Sequence, residues 1–257
     1  NPTERLNVIA GLRFDYFSDS NVRHLSPHLG MMYKIGSCSL RGSYSQGFRS
    51  PTLKEMYMVF NMANMMMIYG NPDLKSETSH NFSVSAEYTK NRYNFSVTGY
   101  YNLVHNRINT VYSEDPKGQI YTNTDKVDIA GVDANISAKY PCGLGFRMSY
   151  TYIHEFMRDG QKKFTDTRPH TATVRVDWGE NLDKVDFNYS LNGRILSEVK
   201  TNVYNDSFNN PAAGSTAVTY PGYMIWDLTF SVGVFKGVNM NLAINNLFNY
   251  VPDYYYF

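Results

Sequence analysis

The sequence predicts an all-β chain, a transmembrane antiparallel β-barrel of which about 11 of roughly 22 strands lie in residues 1–257. Three observations predict this fold. The composition favours strands, apolar and polar residues alternate with a period of two, and the connections between strands are alternately short and long. Each observation is taken up below.

The composition is that of a β protein and excludes several other classes. The chain contains 22 Tyr and 15 Phe, residues that favour strands and suit the edge of a membrane. Its mean hydropathy is −0.42, and no stretch approaches the roughly 20 apolar residues of a membrane-spanning helix. The net charge of +1 gives no electrostatic reason to expect a nucleic-acid partner.

Period-two alternation runs along the whole chain and is clearest in the last two strands. The even-numbered residues of 226–234 and of 238–244 are apolar, whereas Asp227, Asn239 and Asn241 between them are polar. Side chains point alternately to the two faces of a strand, so this pattern predicts one face in lipid and the other in a polar lumen.

About eleven strands are predicted in this way. Most exceed the length usual in soluble proteins and match the roughly 9 to 11 residues that cross a bilayer at a tilt. The predicted strands are 6–17, 27–35, 38–48, 77–90, 92–104, 127–140, 144–156, 168–179, 184–197, 222–235 and 238–248.

The connections between these strands alternate between tight turns and long loops. Outer-membrane barrels have short periplasmic turns and longer extracellular loops, whereas a soluble β-sandwich has no reason to show this asymmetry. The tight turns fall at 35–38, 90–92, 141–144, 180–184 and 236–237. The long loops are 18–26, 49–76, 105–126, 157–167 and 198–221.

The two cysteines and the first residues add two expectations. Cys38 and Cys142 fall in different predicted turns and form no metal-binding motif, so we expect structural, unlinked thiols. The N-terminus does not resemble a secretion signal, so the chain is expected to begin within a longer protein. A 22-stranded barrel would need one further strand after Phe257 and about ten upstream.

Three groups of residues resemble one known family. The first pairs Gly47-Phe48-Arg49-Ser50-Pro51 with Gly70-Asn71-Pro72-Asp73-Leu74-Lys75-Ser76-Glu77, the second is Gly131-Val132-Asp133, and the third is Asn245-Asn246-Leu247-Phe248-Asn249-Tyr250. Together they resemble the TonB-dependent outer-membrane receptors, and the first pair is most similar to the haem and iron receptor branch. The chain would then be the C-terminal part of the barrel.

The resemblance implies active import of haem or an iron chelate across the bacterial outer membrane. Cobalamin or another bulky nutrient is the alternative cargo, and a passive porin or adhesive barrel is the alternative class. The implied partners are outer-membrane lipid, the remaining half of the barrel, a plug domain, the TonB complex and, as a further candidate, a surface lipoprotein. No catalytic motif is present, so no enzyme activity is expected, and neither a resident cofactor nor a bound metal is expected beyond haem as cargo.

The candidate binding residues lie in and beside the loop of 49–76. Arg49, at the loop base, can brace the loop by pairing with Glu55, or face an anionic substrate. The resemblance implies a haem-ligating histidine between the paired boxes, but that interval contains none. The loop's methionine thioethers can ligate haem iron, although Met runs more often serve as adaptable packing. The expected substrate-binding residues are Arg49, Tyr57, Met62, Met65, Met66, Met67, Tyr69 and His80.

Overall fold

The computed structural model describes residues 5–17, 22–62, 66–156, 167–182, 185–205, 213–235 and 238–252. Most of these residues lie in strands of one sheet, and the main path of that sheet is antiparallel. The elements of the main path are β1 (Leu6–Phe17), β2 (Val22–Ile35), β3 (Cys38–Arg49), β6 (Glu77–Lys90), β7 (Tyr93–Glu114), β8 (Lys117–Lys139), β9 (Leu144–Phe156), β10 (His170–Leu182), β11 (Val185–Leu196), β14 (Tyr223–Phe235) and β15 (Val238–Ile244). The shorter elements are α1 (Leu53–Tyr57), β4 (Val59–Met62), β5 (Met66–Tyr69), β12 (Val199–Tyr204) and β13 (Ser215–Tyr220).

The main sheet confirms the eleven predicted strands and their up-and-down order. Neighbouring strands follow one another in sequence as β1-β2-β3-β6-β7-β8-β9-β10-β11-β14-β15. Every pair along this path is antiparallel, as expected for strands joined by hairpin turns. Among the described residues no helix is long and apolar enough to span a membrane.

The sheet has one apolar and one polar face, as the alternation predicts. On the apolar face Leu12 is 68% exposed and Val84 is 71% exposed, although both lie within the sheet. On the polar face Arg41 pairs with Glu87 at 2.7 Å. A soluble protein would cover so large an apolar surface, so the exposed face is typical of strands that lie in lipid.

The register confirms the predicted faces of the last strands. Leu228 lies opposite Ile244, and Phe230 lies opposite Leu242. Opposed residues project to the same side of an antiparallel pair, so these side chains share the apolar face. Asp227 falls on the other face.

The long connections at 49–76 and 198–221 are confirmed and contain short ordered elements, whereas those predicted at 18–26 and 105–126 were partly wrong because strands of the main sheet extend into them. The loop predicted at 105–126 is instead the continuation of β7 and β8, which stay paired up to Glu114 and Lys117. β2 begins at Val22, inside the loop predicted at 18–26. The loop of 198–221 contains the β12–β13 hairpin, and the loop of 49–76 contains α1 and the β4–β5 hairpin. The predicted loop of 157–167 lies almost wholly outside the described residues, and the predicted turn of 236–237 does so entirely.

The short turns are built from residues that accept unusual backbone geometry. Gly36 and Asn91 have φ angles of 58° and 53°, in the left-handed region that glycine and asparagine tolerate best. Both cysteines are free: Cys38 begins β3, and Cys142 lies in the turn that precedes β9. The expectation of unlinked thiols is therefore confirmed.

Candidate functional site

The loop between β3 and β6 is folded rather than irregular. It begins with α1, whose N-cap Thr52 accepts a hydrogen bond from the Glu55 amide while the Glu55 carboxylate accepts one from the Thr52 amide. The chain then forms the β4–β5 hairpin. β5 adds in parallel to β8, with Ile68 beside Gln119.

Arg49 lies between two carboxylates at the base of this loop. Its guanidinium donates to both oxygens of Glu55, at 2.9 and 3.1 Å, and to Glu77 Oε2 at 3.2 Å. The same Glu77 oxygen accepts a hydrogen bond from the Ile108 amide at 3.1 Å. This arrangement joins the end of β3, the helix α1 and the strands β6 and β7, so Arg49 braces the loop.

The electrostatics of Glu55 favour its charged form. Burial is the largest single influence and would raise the pKa of the carboxyl group. Hydrogen bonds from the Thr52 backbone, from Arg49 and from the Thr52 hydroxyl, together with the charge of Arg49, outweigh it. The pKa of Glu55 is therefore lower than its ordinary value, and the carboxylate that closes the capping box stays ionised at neutral pH.

Asn123 on β8 fixes the other end of the loop. Its side-chain oxygen accepts from the Lys75 amide at 2.7 Å, and its side-chain nitrogen donates to the carbonyls of Lys75 and Asn106. The side-chain amide of Asn123 thus provides hydrogen-bond partners for three backbone groups, a role that the backbone of a neighbouring strand usually has.

Buried apolar residues lie both at the end of the loop and on the extended β7–β8 hairpin. The register places Ile108 and Val127 on the same face of the hairpin as Asn123, the polar face of the sheet. These two residues are only 8% and 4% exposed, and Leu74 in the loop is 8% exposed. The end of the loop therefore lies on the polar, lumen-facing side of the hairpin.

The structure brings some of the expected binding residues together in this loop. Tyr69 and Met67 lie on β5 and are half-buried, and the Tyr69 ring lies close to Gly118. Tyr57 ends α1 and is 63% exposed. Met62 and Met66 are paired through their backbones at the end of the β4–β5 hairpin, and Met65 lies outside the described residues.

His80 is placed apart from the other candidates. It lies opposite Gln46 in the β3–β6 ladder and shares a face with Phe82, the apolar face of the sheet. Its Nδ1 is 2.9 Å from the Tyr44 hydroxyl. The carboxylates that hold Arg49 lie on the other side, so the position of His80 gives no support to a shared substrate site.

Sequence reasoning missed Glu77, Asn123 and Arg168 as anchors of the loops. Arg168 is 8% exposed, donates to the carbonyls of Ser197 and Pro221, and lies 4.8 Å from the Tyr223 ring centroid. Arg168 lies just before β10, and both of these carbonyls lie in the connection between β11 and β14. Its side chain therefore links the two connections. The Thr52-x-x-Glu55 spacing was readable in advance as a capping box, whereas the long-range partners were not.

The remaining motifs have structural roles. In the Asn-Pro-Asp-Leu box, Asn71 accepts a hydrogen bond from the Asp73 amide at 2.9 Å, a turn that leads into buried Leu74. In the last box, Asn246 bonds the amide and carbonyl of Tyr250 and donates its own amide to Asp227. Among the described residues no group of three or more His, Cys, Asp or Glu is placed to hold a metal ion.

Comparison with known proteins places this geometry in context. A family model described as TonB dependent receptor-like, beta-barrel matches residues 1–247. An iron-regulated outer membrane virulence protein of Vibrio cholerae is 24% identical over 98% of this chain. The heme/hemopexin utilization protein C of Haemophilus influenzae is 21% identical over 96% of it.

Solved structures agree with the fold. The siderophore receptor PirA from Acinetobacter baumannii superposes with a TM-score of 0.77 over 96% of this chain, at 18% sequence identity. The chain spans 39% of the Vibrio protein, 38% of the Haemophilus protein and 40% of the PirA structure. It therefore corresponds to about two fifths of the length of each.

Proposed function

Because the chain belongs to the family of TonB-dependent receptor-like β-barrels, we propose that it forms part of an importer of an iron complex, either haem or a ferric siderophore. Barrels of this family lie in the bacterial outer membrane, which accounts for the exposed apolar face. The relatives include an iron-regulated protein and a heme utilization protein, and a siderophore receptor has a similar fold.

The observation that carries the proposal is the anchoring of the loop of 50–76. A connection of this length is usually functional when it is ordered, and here both of its ends are bonded to the barrel wall. Arg49 holds the beginning through Glu55 and Glu77, and Asn123 holds the end. A methionine-rich hairpin fixed beside the lumen would offer soft, polarizable contacts to a large cargo.

In the proposed mechanism the loops capture the cargo at the outer surface, and a plug domain then rearranges under the action of the TonB complex. Lumen-facing polar side chains would line the passage, and the apolar face would hold the barrel in lipid. The anchors leave the loop few ways to move as a whole, so capture would rely on side chains at the hairpin. Arg49 already has two carboxylate partners, which favours a bracing role over pairing with the cargo.

Haem and a ferric siderophore are distinguished by replacing Met65, Met66 and Met67 together with Ser in the full-length receptor. If the cargo is haem held by these thioethers, haem affinity should fall at least about tenfold, or 1.4 kcal/mol, with a changed Soret band if one Met ligates iron. Titrations with haem and with a ferric catecholate siderophore, monitored by absorbance and protein fluorescence, measure this change.

The matched control is Val203→Ser, an exposed position in the β12–β13 hairpin, which should leave both affinities unchanged. Weakened haem binding with an unaltered Soret band would mean that these methionines pack against haem without ligating its iron. Full retention of haem affinity together with weakened siderophore binding would make the cargo a siderophore. Failure of the receptor to bind either compound would contradict the proposed function.

A further inference from the structure

The apolar face of the sheet contains a recess of about 510 Å³ across β3, β6 and β7. Its floor is formed by Gly42 and Gly99, which lie on either side of Val84 in the register of the three strands. An added Cβ at either glycine would meet no described atom within 4 Å, apart from its own chain neighbours. We call the recess over Gly42, Val84 and Gly99 the glycine groove.

Aromatic rings form the wall of the groove on the side nearest the loops. Tyr44, Phe82 and Tyr101 are cross-strand neighbours, two residues further along their strands than the groove floor. The ring centroids of Tyr44 and Phe82 are 5.0 Å apart, and Phe82 is 45% exposed. The groove is thus an open, apolar channel in the lipid-facing side of the sheet, beside rings that suit the edge of a membrane.

A polar rim lies beyond these rings, at the end of the strands that carries the long loops. His80 and His105 lie on the apolar face there, with ring centroids 5.8 Å apart. Lys126 on β8 is the cross-strand partner of His105 and is exposed. Long loops of outer-membrane barrels are extracellular, so this rim lies at the outer boundary of the membrane.

The chemistry of the rim suits a phosphate group. The Nδ1 atom of His80 is 2.9 Å from the Tyr44 hydroxyl. When this hydroxyl donates to Nδ1, the proton of the neutral imidazole lies on Nε2, from which it can be donated to a phosphate oxygen. Lys126 adds a permanent positive charge with three donors. The acidic residue described on this part of the face is Asp128, and its carboxylate accepts from the Tyr101 hydroxyl at 3.1 Å.

The rim and the groove lie within reach of one lipid molecule. His80 is four residues from Val84 along β6, which corresponds to about 13 Å in a strand. This separation is less than half of the roughly 30 Å hydrocarbon thickness of a bilayer. A lipid with its headgroup at the rim can therefore place an acyl chain in the glycine groove.

We propose that this surface is a binding site for a lipid of the outer leaflet whose headgroup is an anionic phosphate. The phosphate binds at His80, His105 and Lys126, and one acyl chain fills the glycine groove. The groove is continuous with the face that already lies in lipid, and the rim is complementary in charge to a phosphate. The site lies outside the barrel, so the inference does not depend on which cargo is imported.

The first test locates the lipid on the native full-length receptor in phosphatidylcholine nanodiscs. Phosphatidic acid with a photoreactive group in its acyl chain is added, and the labelled peptides are mapped by mass spectrometry. Labels should concentrate within residues 82–84 and 99–101, which line the groove. Labelling spread evenly over the lipid-facing strands would overturn the proposal.

The second test fills the groove in the double variant Gly42→Leu, Gly99→Leu. Native mass spectrometry of the full-length receptor in detergent measures its affinity for phosphatidic acid, which should fall at least about threefold because the acyl chain loses its packing contacts. The matched control is Ala10→Leu, an exposed position on the apolar face of β1, which should leave the affinity unchanged. Undiminished affinity in the filled variant would overturn the site. A dimer of the native receptor that the filled variant loses would assign the groove to a second copy and equally overturn it.

The third test concerns the headgroup. His80→Phe and Lys126→Gln should each lower the preference for phosphatidic acid over phosphatidylcholine at least about threefold, because each removes a donor to the phosphate. The control for the first is His170→Phe, because His170 Nδ1 is likewise 2.7 Å from a tyrosine hydroxyl, that of Tyr150, but lies on β10. The control for the second is Lys90→Gln, on the same face at the opposite end of β6. An unchanged preference in both rim variants would contradict the assignment of the phosphate.

Discussion

At the scale of single residues, the motifs of this chain are explained by contacts that only certain side chains permit. The Tyr100 ring lies over Gly131 so closely that an added Cβ would overlap its atoms. Asn246, with a φ of 53°, both tolerates the left-handed conformation and bonds Tyr250 twice. These residues shape the wall and its turns, which is why the motifs identify the family without identifying a cargo.

The contact between Gly131 and Tyr100 gives a prediction for stability. Gly131→Ala should lower the free energy of unfolding of the full-length receptor by about 1–3 kcal/mol, because the ring must move to admit the methyl group. Gly42→Ala, where no atom lies within 4 Å of the added Cβ, is the control and should cost less. Urea unfolding in vesicles measures both. Adding Tyr100→Ala to Gly131→Ala should recover part of the loss, and strictly additive effects would contradict the clash.

At the scale of elements, the strands could be predicted from the sequence because each has one face in lipid and one in a polar lumen. That environment imposes the period-two pattern that was read from residues such as Leu228 and Thr229. Beyond the membrane-spanning part, the strands no longer have one face in lipid. The period-two pattern therefore did not predict the strand residues there. The outer halves of β7 and β8 have mixed polarity because the loop covers them, as buried Ile108 and Gln119 show.

The anchors of the loop could not be predicted for a related reason. Glu77 accepts a hydrogen bond from Arg49, which is 28 residues away along the chain. Asn123 accepts one from the amide of Lys75, which is 48 residues away. Such pairings follow from the register of the sheet rather than from any local pattern. The short helix is the exception, because its capping box is local.

The capping box predicts a dependence of loop order on pH. The folded-state pKa of Glu55 is lowered, so its stabilising contribution is fully present above the unfolded-state pKa and is lost as the pH falls through the lower folded-state pKa. Hydrogen exchange of peptides covering 50–61, corrected for intrinsic rates, should therefore increase in the native receptor as the pH is lowered from 7 toward 3.

Glu55→Gln should show faster exchange already at neutral pH, with a flatter pH profile, since its amide is neutral throughout. Glu198→Gln is the matched control. Glu198 forms an exposed ion pair with Lys200 in another loop, at 3.4 Å, and should leave the 50–61 peptides unchanged. A native profile as flat as that of Glu55→Gln would show that the carboxylate does not stabilise α1.

At the scale of the whole molecule, the sheet has one face in lipid and one face in a polar lumen, and it does not enclose a large apolar core. Only Leu74, Ile108, Val127 and Val199 are buried apolar residues among those described, and none lies on the apolar face in the middle of the sheet. β1 and β15 each pair on one side only within the described chain. Unpaired backbone groups cost several kcal/mol in lipid, so in the membrane each of these edges requires a strand to pair with.

This two-sided design predicts opposite tolerance at neighbouring positions of one strand. Leu228 lies near the middle of β14 on the apolar face, between Leu191 and Ile244, and Thr229 lies on the polar face between Ser190 and Ala243. Leu228→Arg should cost about 2–4 kcal/mol in the free energy of unfolding, because it places a charge near the middle of the bilayer. Thr229→Arg places the same charge in a wet lumen and should cost less. Reversible unfolding of the full-length receptor in lipid vesicles compares the two variants. Equal costs would mean that the faces have been assigned wrongly, since neighbouring positions of one strand point to opposite sides of the sheet.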